Sequence, residues 1–256
     1  MLDDGKIEFN IEFNAGEHTI EATTRVPTAS MRVADLLPIL RAFDDAMVSM
    51  AADMLERQGK PVSCRAGCGA CCRQLVPISE SEAHALAELV EAMPGDRQAA
   101  VRERFEKTLA ALAEHGLLER LRRPEDLKRP EDRRAIGQEY IRLHIPCPFL
   151  EEERCSIYLE RPLRCREYLV TSPAENCRNP SAETIQMAPL PAKLSEILYT
   201  FDDGVGNAAT RWLPLVLALE WVAGQKETPQ LWLAGADLFR NFLKEVATAA
   251  GGDPRA

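Results

Sequence analysis

Hydrophobic and polar residues alternate along the first 26 positions of the chain. The apolar members of the first stretch are Ile7, Phe9, Ile11 and Phe13. A second alternating stretch follows over residues 20–26, and residues 14–17 between them are typical of a turn. Because a period of two is the pattern of a half-buried strand, the sequence predicts a β-hairpin. We expect residues 1–30 to form an appendage on a helical domain over residues 31–256.

Apolar residues then recur at intervals of three and four, which is the period of an amphipathic helix. The first such pattern covers residues 36–54 and predicts a helix that ends shortly before the first cysteine. Ser79 and Glu82 form a capping box, which predicts that a second helix begins there. The helical period continues to residue 112 after a break at Pro94.

Three further helical patterns follow the last cysteine, over residues 190–199, 212–222 and 231–246. The segment 119–134 is almost wholly charged, which predicts a solvated connector between two cysteine-bearing halves. The longest apolar run, residues 212–219, is well short of the roughly 20 residues that span a bilayer. The expected fold is mainly α with a small N-terminal β-hairpin and an irregular, metal-bound cysteine-rich core packed between helices.

All eight cysteines lie in two groups of four. The groups are Cys64, Cys68, Cys71, Cys72 and Cys147, Cys155, Cys165, Cys177. Cysteines that serve only as small core residues would be scattered, and four within nine residues are not needed for packing. Soft thiolates select zinc, copper(I) or iron-sulfur clusters. The sequence therefore predicts a metal-binding region over residues 64–177 with all eight thiols as ligands.

Charge and composition narrow the classes of function and partner. The 256 residues include 40 acidic and 31 basic side chains, so the net charge is −9, and we expect no nucleic-acid partner. We also expect no membrane partner. The first residues lack a basic stretch followed by an apolar one, so a cytoplasmic location is expected. In a reducing compartment, clustered cysteines bind metal or do chemistry more often than they form disulfides.

The second group of cysteines lies among prolines and turn residues. Such a chain cannot build a regular helix or sheet around each cysteine, so metal coordination is expected to hold residues 147–177. Three arginines, Arg161, Arg164 and Arg166, surround Cys165 and could offset the negative charge of a thiolate-ligated centre. Ordinary solvation at the surface is the alternative for them. These arginines and Tyr168 are the candidate cofactor-binding residues.

The cysteine motifs resemble the YkgJ-type cysteine-cluster family. The motifs are Cys-x3-Cys-x2-Cys-Cys, Cys-Pro-Phe-Leu, Cys-Ser-Ile-Tyr and Arg-Pro-x-x-Cys-Arg-Glu-Tyr, followed by a last cysteine. The resemblance covers residues 64–177 and implies a zinc- or iron-chelating domain that binds metal through the eight thiols. The family label has two residues between its first two cysteines, and here residues 65–67 make three. A comparable cluster in flagellin lysine methylases opens an enzymatic alternative.

The spacing of the thiols favours an iron-sulfur cluster over zinc. Structural zinc is usually held by two Cys-x2-Cys pairs, and only Cys68 and Cys71 form one here. Three closely spaced cysteines with Cys147-Pro148 downstream fit a cubane cluster better. Three functions remain open. They are an iron-sulfur protein in redox or cluster handling, a Zn²⁺-stabilised structural or interaction domain with a protein partner, and a cluster-dependent modifying enzyme.

The adjacency of Cys71 and Cys72 constrains the site further. Neighbouring side chains diverge, so two consecutive cysteines do not easily place both sulfurs on one metal ion. We expect Cys64, Cys68 and one member of the pair to share a centre closed by a thiol of the second group. The other member then faces a second or bridged centre. The competing arrangement is a single centre with spare thiols.

Overall fold

The computed structural model describes residues 5–15, 18–65, 67–123, 127, 129–202, 211–225 and 232–250. The helices are α1 (Val33–Arg57), α2 (Glu80–Glu91), α3 (Gly95–Glu114), α4 (Leu118–Leu121), α5 (Pro130–Arg142), α6 (Leu163–Glu167), α7 (Leu194–Phe201), α8 (Ala218–Gly224) and α9 (Gly235–Ala249). The strands are β1 (Lys6–Ala15), β2 (His18–Pro27), β3 (Ser30–Met31), β4 (Pro77–Ile78), β5 (Leu150–Glu151), β6 (Arg154–Cys155), β7 (Leu213–Pro214) and β8 (Leu233–Ala234). Short 3-10 turns cover Ala70–Arg73, Ala174–Arg178 and Leu215–Leu217. The fold is mainly helical, as the sequence predicts.

The N-terminal hairpin is confirmed and is anchored on the helices. Strands β1 and β2 pair antiparallel along their whole length. The predicted turn residues Gly16 and Glu17 lie outside the described residues. Phe9 packs edge to face on Phe239 of α9, with 5.0 Å between ring centroids. The remaining strands are two residues long and pair antiparallel as β3 with β8, β4 with β7 and β5 with β6.

The apolar side chains of the helices form three main clusters. The first cluster joins α1, α7 and α9 with Val26 of the hairpin. The second cluster joins α2 and α3 with Phe149 and Leu213, and the third joins α4 and α5 with Val216. Full burial of a leucine-sized side chain stabilises a fold by about 1.5–3 kcal/mol, so these clusters hold the body together. Among the described helices, none has the length and apolar character needed to cross a membrane.

The described part of the charged segment 119–134 is mostly exposed, as the sequence predicts, but it includes the ends of two helices. Helix α4 ends inside it and α5 begins inside it, while residues 124–126 and 128 lie outside the described residues. Leu121 is fully buried in the third cluster, so α4 packs on the body. Arg120 of α4 pairs with Glu139 of α5 at 2.5 Å. Exposed charges thus pair between the two helices at the surface, and composition alone does not reveal this pairing.

The three C-terminal helical patterns are realised in part. Helices α7 and α9 fall within or overlap the predicted spans 190–199 and 231–246, although Leu231 lies outside the described residues. The span 212–222 is not one helix, because it divides into β7, a 3-10 turn and α8. Pro214 lies opposite Pro77 of β4 in the paired strands. Tertiary pairing therefore overrides the helical period at the start of this span.

The predicted capping box at the start of α2 is confirmed and extends to a second helix. Ser79 Oγ accepts a hydrogen bond from Glu82 N at 3.1 Å, and Glu82 Oε2 accepts one from Ser79 N at 3.0 Å. The other carboxylate oxygen of Glu82 accepts a hydrogen bond from Leu163 N at 2.8 Å. A residue of α2 therefore caps the N-terminus of α6, the helix that carries Cys165.

Two more carboxylates continue this capping from helix to helix. Glu167, the last residue of α6, accepts a hydrogen bond from Ser195 N in the first turn of α7 at 2.8 Å. Asp202, directly after α7, accepts one from Glu80 N at the start of α2 at 3.0 Å. Carboxylates are favourable at helix N-termini, where backbone N–H groups lack partners. Helices α2, α6 and α7 are thereby joined in a closed ring, which we call the capping ring.

Candidate metal centre

The eight cysteines lie on loops and short turns between the helices. Cys64 and Cys68 precede the turn Ala70–Arg73, which carries Cys71 and Cys72. Cys147 precedes β5, Cys155 ends β6, Cys165 lies in α6, and Cys177 lies in the turn Ala174–Arg178. All eight are free thiols, and none takes part in a disulfide. The whole donor set is therefore available to a metal.

Hydrogen bonds between the two groups bring them side by side. Cys147 N donates to Cys72 O at 2.7 Å. The amide of Gln74, two residues after the cysteine pair, donates to Cys177 O at 3.0 Å. These contacts join segments that are about 75 to 105 residues apart in sequence. Long-range hydrogen bonds thus contribute to holding residues 147–177, where the sequence points to metal coordination.

The neighbours of each thiol divide the sulfurs into two sets. One set packs in the small apolar cluster around Ala70 and Val170 or acts electrostatically on Cys177, a member of that cluster. It consists of Cys64, Cys68, Cys71 and Cys177. The other set packs on the second apolar cluster or interacts electrostatically with the Cys147 thiol, as Cys71 of the first set also does. It consists of Cys72, Cys147, Cys155 and Cys165. Cys71 and Cys72 stand where the two sets meet.

The thiols differ in how readily they ionise. Burial raises the pKa of Cys147 to about 12 and that of Cys177 to about 11. The neighbouring Cys72 thiol has the opposite effect on Cys71 and lowers its pKa, while the pKa of Cys72 rises. The charge of Cys71 in turn raises the pKa of Cys64, Cys147, Cys155, Cys165 and Cys177. Because thiolates are the metal ligands, loading this site must release protons.

Of the three candidate cofactor-binding arginines, Arg161 has a charge that shifts the pKa of several cysteines. Its guanidinium carbon lies 3.9 Å from the ring centroid of Tyr158. Its charge lowers the pKa of Cys64, Cys71 and Cys155. Its Nε is buried and has no hydrogen-bond partner among the described residues. This position suits the predicted role of offsetting thiolate charge, which stays a prediction.

The other two predicted arginines form their bonds elsewhere. Arg166 is buried, pairs with Asp45 of α1 at 2.5 Å and donates to the carbonyl of Leu159. Arg164 lies 3.4 Å from Glu196 of α7. These contacts tie α6 to α1 and α7, and the predicted contact of either arginine with the metal centre stays a prediction.

Tyr168 acts on a cysteine of the site. Burial raises the pKa of the Cys177 thiol, and the Tyr168 hydroxyl group acts in the opposite direction and lowers it. Gln74 Nε2 donates to the same hydroxyl oxygen at 3.1 Å. The sequence pattern points to Tyr168 but not to Gln74, although Gln74 follows the cysteine pair by only two residues. Gln74 thus links the turn of Cys71 and Cys72 to both Tyr168 and Cys177.

The eight thiols are ligands of the kind that zinc and iron prefer. Their side chains do not converge on a common position where a metal ion could bind. Four sulfurs in each set match the ligand number of structural zinc and of iron-sulfur clusters. Within the described ranges, no three or more His, Cys, Asp or Glu side chains are grouped so that they could hold a metal ion. Metal binding therefore requires thiol side chains to reorient on loops that already lie together.

Comparison with known proteins agrees with the chemistry of this region. Residues 63–186 match the family model CxxCxxCC, whose description reads "Putative zinc- or iron-chelating domain". The matched segment begins one residue before Cys64 and includes all eight cysteines. This match confirms the resemblance found in the sequence. A search of curated proteins and a search of solved structures found no match.

Proposed function

We propose that the CxxCxxCC domain at residues 63–186 holds iron-sulfur clusters through its eight cysteines and serves in redox or cluster handling. The observation that carries the proposal is the division of the thiols into two sets of four. Cys64, Cys68, Cys71 and Cys177 ligate a first centre, and Cys72, Cys147, Cys155 and Cys165 ligate a second. Four thiolates are the usual ligands of both the two-iron and the four-iron cluster.

The surroundings of the thiols support a redox role. A cluster supplies one-electron transfer when it is bound, and hydrogen bonds to its sulfurs tune the reduction potential. Tyr168 lowers the pKa of the Cys177 thiol, and the charge of Arg161 lowers the pKa of thiols in both sets. Both effects stabilise negative charge on sulfur, which is the state that a cluster requires.

Zinc is the second candidate, and one observation favours it. Cys68, Cys71 and Cys177 pack in one apolar cluster, Cys147 and Cys155 pack on another, and the adjacent Cys71 and Cys72 join the two sets. A redox-inert ion at each set would fasten these clusters together, as structural zinc does in small domains. In that case the domain is a stabilised scaffold for interaction with a protein partner.

Metal analysis of anaerobically purified protein separates the two candidates. Iron and acid-labile sulfide in a coloured protein support the cluster. A colourless protein that contains zinc supports the structural alternative. Protein that holds neither metal after anaerobic purification, and takes up neither on reconstitution, refutes both.

Serine substitutions test the division into two centres. Cys71→Ser and Cys72→Ser are each expected to lose about half of the bound metal, because each removes a ligand from a different four-thiolate set. Ser181→Ala, at an exposed hydroxyl of the same matched segment, is the control and should keep all of it. Complete loss of metal in both cysteine variants shows a single shared centre and contradicts the division.

A further inference from the structure

The hairpin that carries Cys155 has an unfavourable turn. Strands β5 and β6 are joined by Glu152 and Glu153, whose φ angles are 49° and 60°. A two-residue turn with positive φ at both positions favours Asn-Gly or Asp-Gly, because in the left-handed region the Cβ atom of an L-residue lies too close to the following carbonyl oxygen. Such conformations persist where the surrounding structure imposes them. A contact of Glu153 with the rest of the fold should therefore offset the unfavourable backbone conformation.

The Glu153 carboxylate is held by arginines from two cysteine-bearing turns. Arg73 donates through Nη2 to Oε1 at 2.5 Å and through Nη1 to Oε2 at 3.1 Å. Arg178 Nη2 lies 3.7 Å from the same carboxylate. Arg73 ends the turn of Cys71 and Cys72, and Arg178 directly follows Cys177. Glu153 therefore connects three segments that carry thiols of both sets.

Gly69 shows how closely the hairpin approaches the first cysteine loop. A Cβ at this position would lie 2.8 Å from Leu150 Cδ1 and 3.2 Å from the Cα of Glu153. The φ of Gly69 is −90°, which any residue can adopt, so the glycine is needed for space. The carbonyl of Gly69 also accepts a hydrogen bond from Arg73 at 2.9 Å. The close packing at Gly69 and the Arg73–Glu153 ion pair thus hold the β5–β6 hairpin against the first cysteine loop at the same point.

We propose that Glu153 is a positioning residue of the metal centre. Its carboxylate draws the β5–β6 hairpin against the first cysteine loop and so sets where the Cys155 thiol stands relative to the Cys71–Cys72 pair. Glycine or asparagine would fit the turn better but could not bind both arginines as a carboxylate does. The inference rests on the proposed metal site and adds how thiols from distant segments are brought together before the metal binds.

Charge exchange between the paired residues tests this role. Glu153→Gly relieves the backbone strain of the turn and removes the carboxylate. Arg73→Glu keeps the sequence of the turn and removes the arginine that pairs with the carboxylate. Each is expected to weaken binding of Co²⁺ by about tenfold, the loss typical when a residue that supports a metal ligand is removed. The exchanged double variant Arg73→Glu/Glu153→Arg should recover part of that affinity, because it restores the main ion pair in the opposite sense while Arg178 loses its carboxylate partner. Glu152→Gly relaxes the same turn without touching the carboxylate and should bind as the wild type does.

Alkylation of Cys155 in the metal-free protein gives a second measurement, independent of metal binding. Its rate should rise in Glu153→Gly and in Arg73→Glu by about tenfold, because a released hairpin opens locally. Arg120→Glu removes a distant ion pair of the same 2.5 Å length and controls for general loosening. Gly69→Ala should also speed alkylation, since the new methyl group displaces the hairpin without changing charge.

The outcomes separate this inference from the proposed function. If wild-type protein binds no Co²⁺, the metal proposal fails, and the alkylation rates still decide the positioning role. If metal binds and Glu153→Gly, Arg73→Glu and Gly69→Ala all leave affinity and alkylation unchanged, Glu153 has no positioning role. Failure of the exchanged double variant to recover over the single variants likewise overturns the inference.

Discussion

We predict that Asp44 makes the stability of this protein depend on pH. The side chain is fully buried in α1, and neither carboxylate oxygen has a hydrogen-bond partner among the described residues. Burial raises its pKa from 3.8 to about 8, and the nearby charges of Glu167, Asp45 and Glu82 act in the same direction. Arg166 alone among the contributing charges lowers it. The carboxyl group is therefore neutral in the folded protein at pH 7 and ionised in the unfolded chain.

The sign and size of the effect follow from proton linkage. Between about pH 4 and pH 8 the folded state binds a proton at Asp44 that the unfolded state releases, so the free energy of unfolding falls as the pH rises. Each pKa unit corresponds to about 1.4 kcal/mol. A pKa raised from 3.8 to about 8 thus removes about 4 kcal/mol of stability between pH 4 and pH 7. Asp202, whose pKa burial raises to about 7, contributes in the same sense.

Asp44→Asn tests this reasoning because it keeps the shape of the side chain and removes its titration. Urea unfolding at several pH values is expected to show a shallower decline for the variant, whose stability relative to the wild type increases as the pH rises from about 4 to about 8. Asp53→Asn, at an exposed position of the same helix, is the control and should follow the wild type. Identical pH dependence of the wild type and Asp44→Asn would show that Asp44 is already ionised in the folded protein.

Three further predictions concern the thiols and the framework. Arg161→Gln should raise the pKa of Cys71 and Cys155, because the guanidinium charge lowers both. Alkylation rates of the two thiols measured against pH test this, and unchanged profiles would show that the Arg161 charge does not act on them. Removing the metal should open residues 140–180 to limited proteolysis, because coordination adds to the hydrogen bonds there, and equal protection with and without metal would contradict it. Ser79→Ala should destabilise the fold by about 1 kcal/mol through loss of the α2 cap, and a urea midpoint that does not move would show that Glu82 caps the helix without it.

Local signals in the sequence predict a large part of the fold. The alternation in β1 and β2, the helical period of α1 and the capping box of α2 each lie within a short stretch of chain. These features depend on neighbours in sequence, and the structure confirms them. The ends of α7 and α9 differ from the predicted spans because helix termini depend on capping partners from elsewhere in the chain.

The features of the fold and of the candidate site that were not predicted from the sequence depend on contacts between distant parts of the chain. The start of the span 212–222 becomes a strand because β4 lies beside it. Cysteine spacing identifies the candidate ligands, but their division into sets depends on which loops meet. Glu153 lies in an acidic run that is typical of a surface, and only its contact with Arg73 reveals its place near the thiols.

The capping ring has a consequence for how the molecule opens. If one of its three helices frays at the N-terminus, the carboxylate of the preceding helix stays buried without its donors. A buried carboxylate without donors destabilises the helix that carries it, and that helix in turn caps another. Helices α2, α6 and α7 should therefore open together as one cooperative unit. The backbone amides of Glu80, Leu163 and Ser195 would then exchange their hydrogens with solvent at a common free energy. Since Cys165 lies in α6, one side of the metal centre moves only when this whole unit moves.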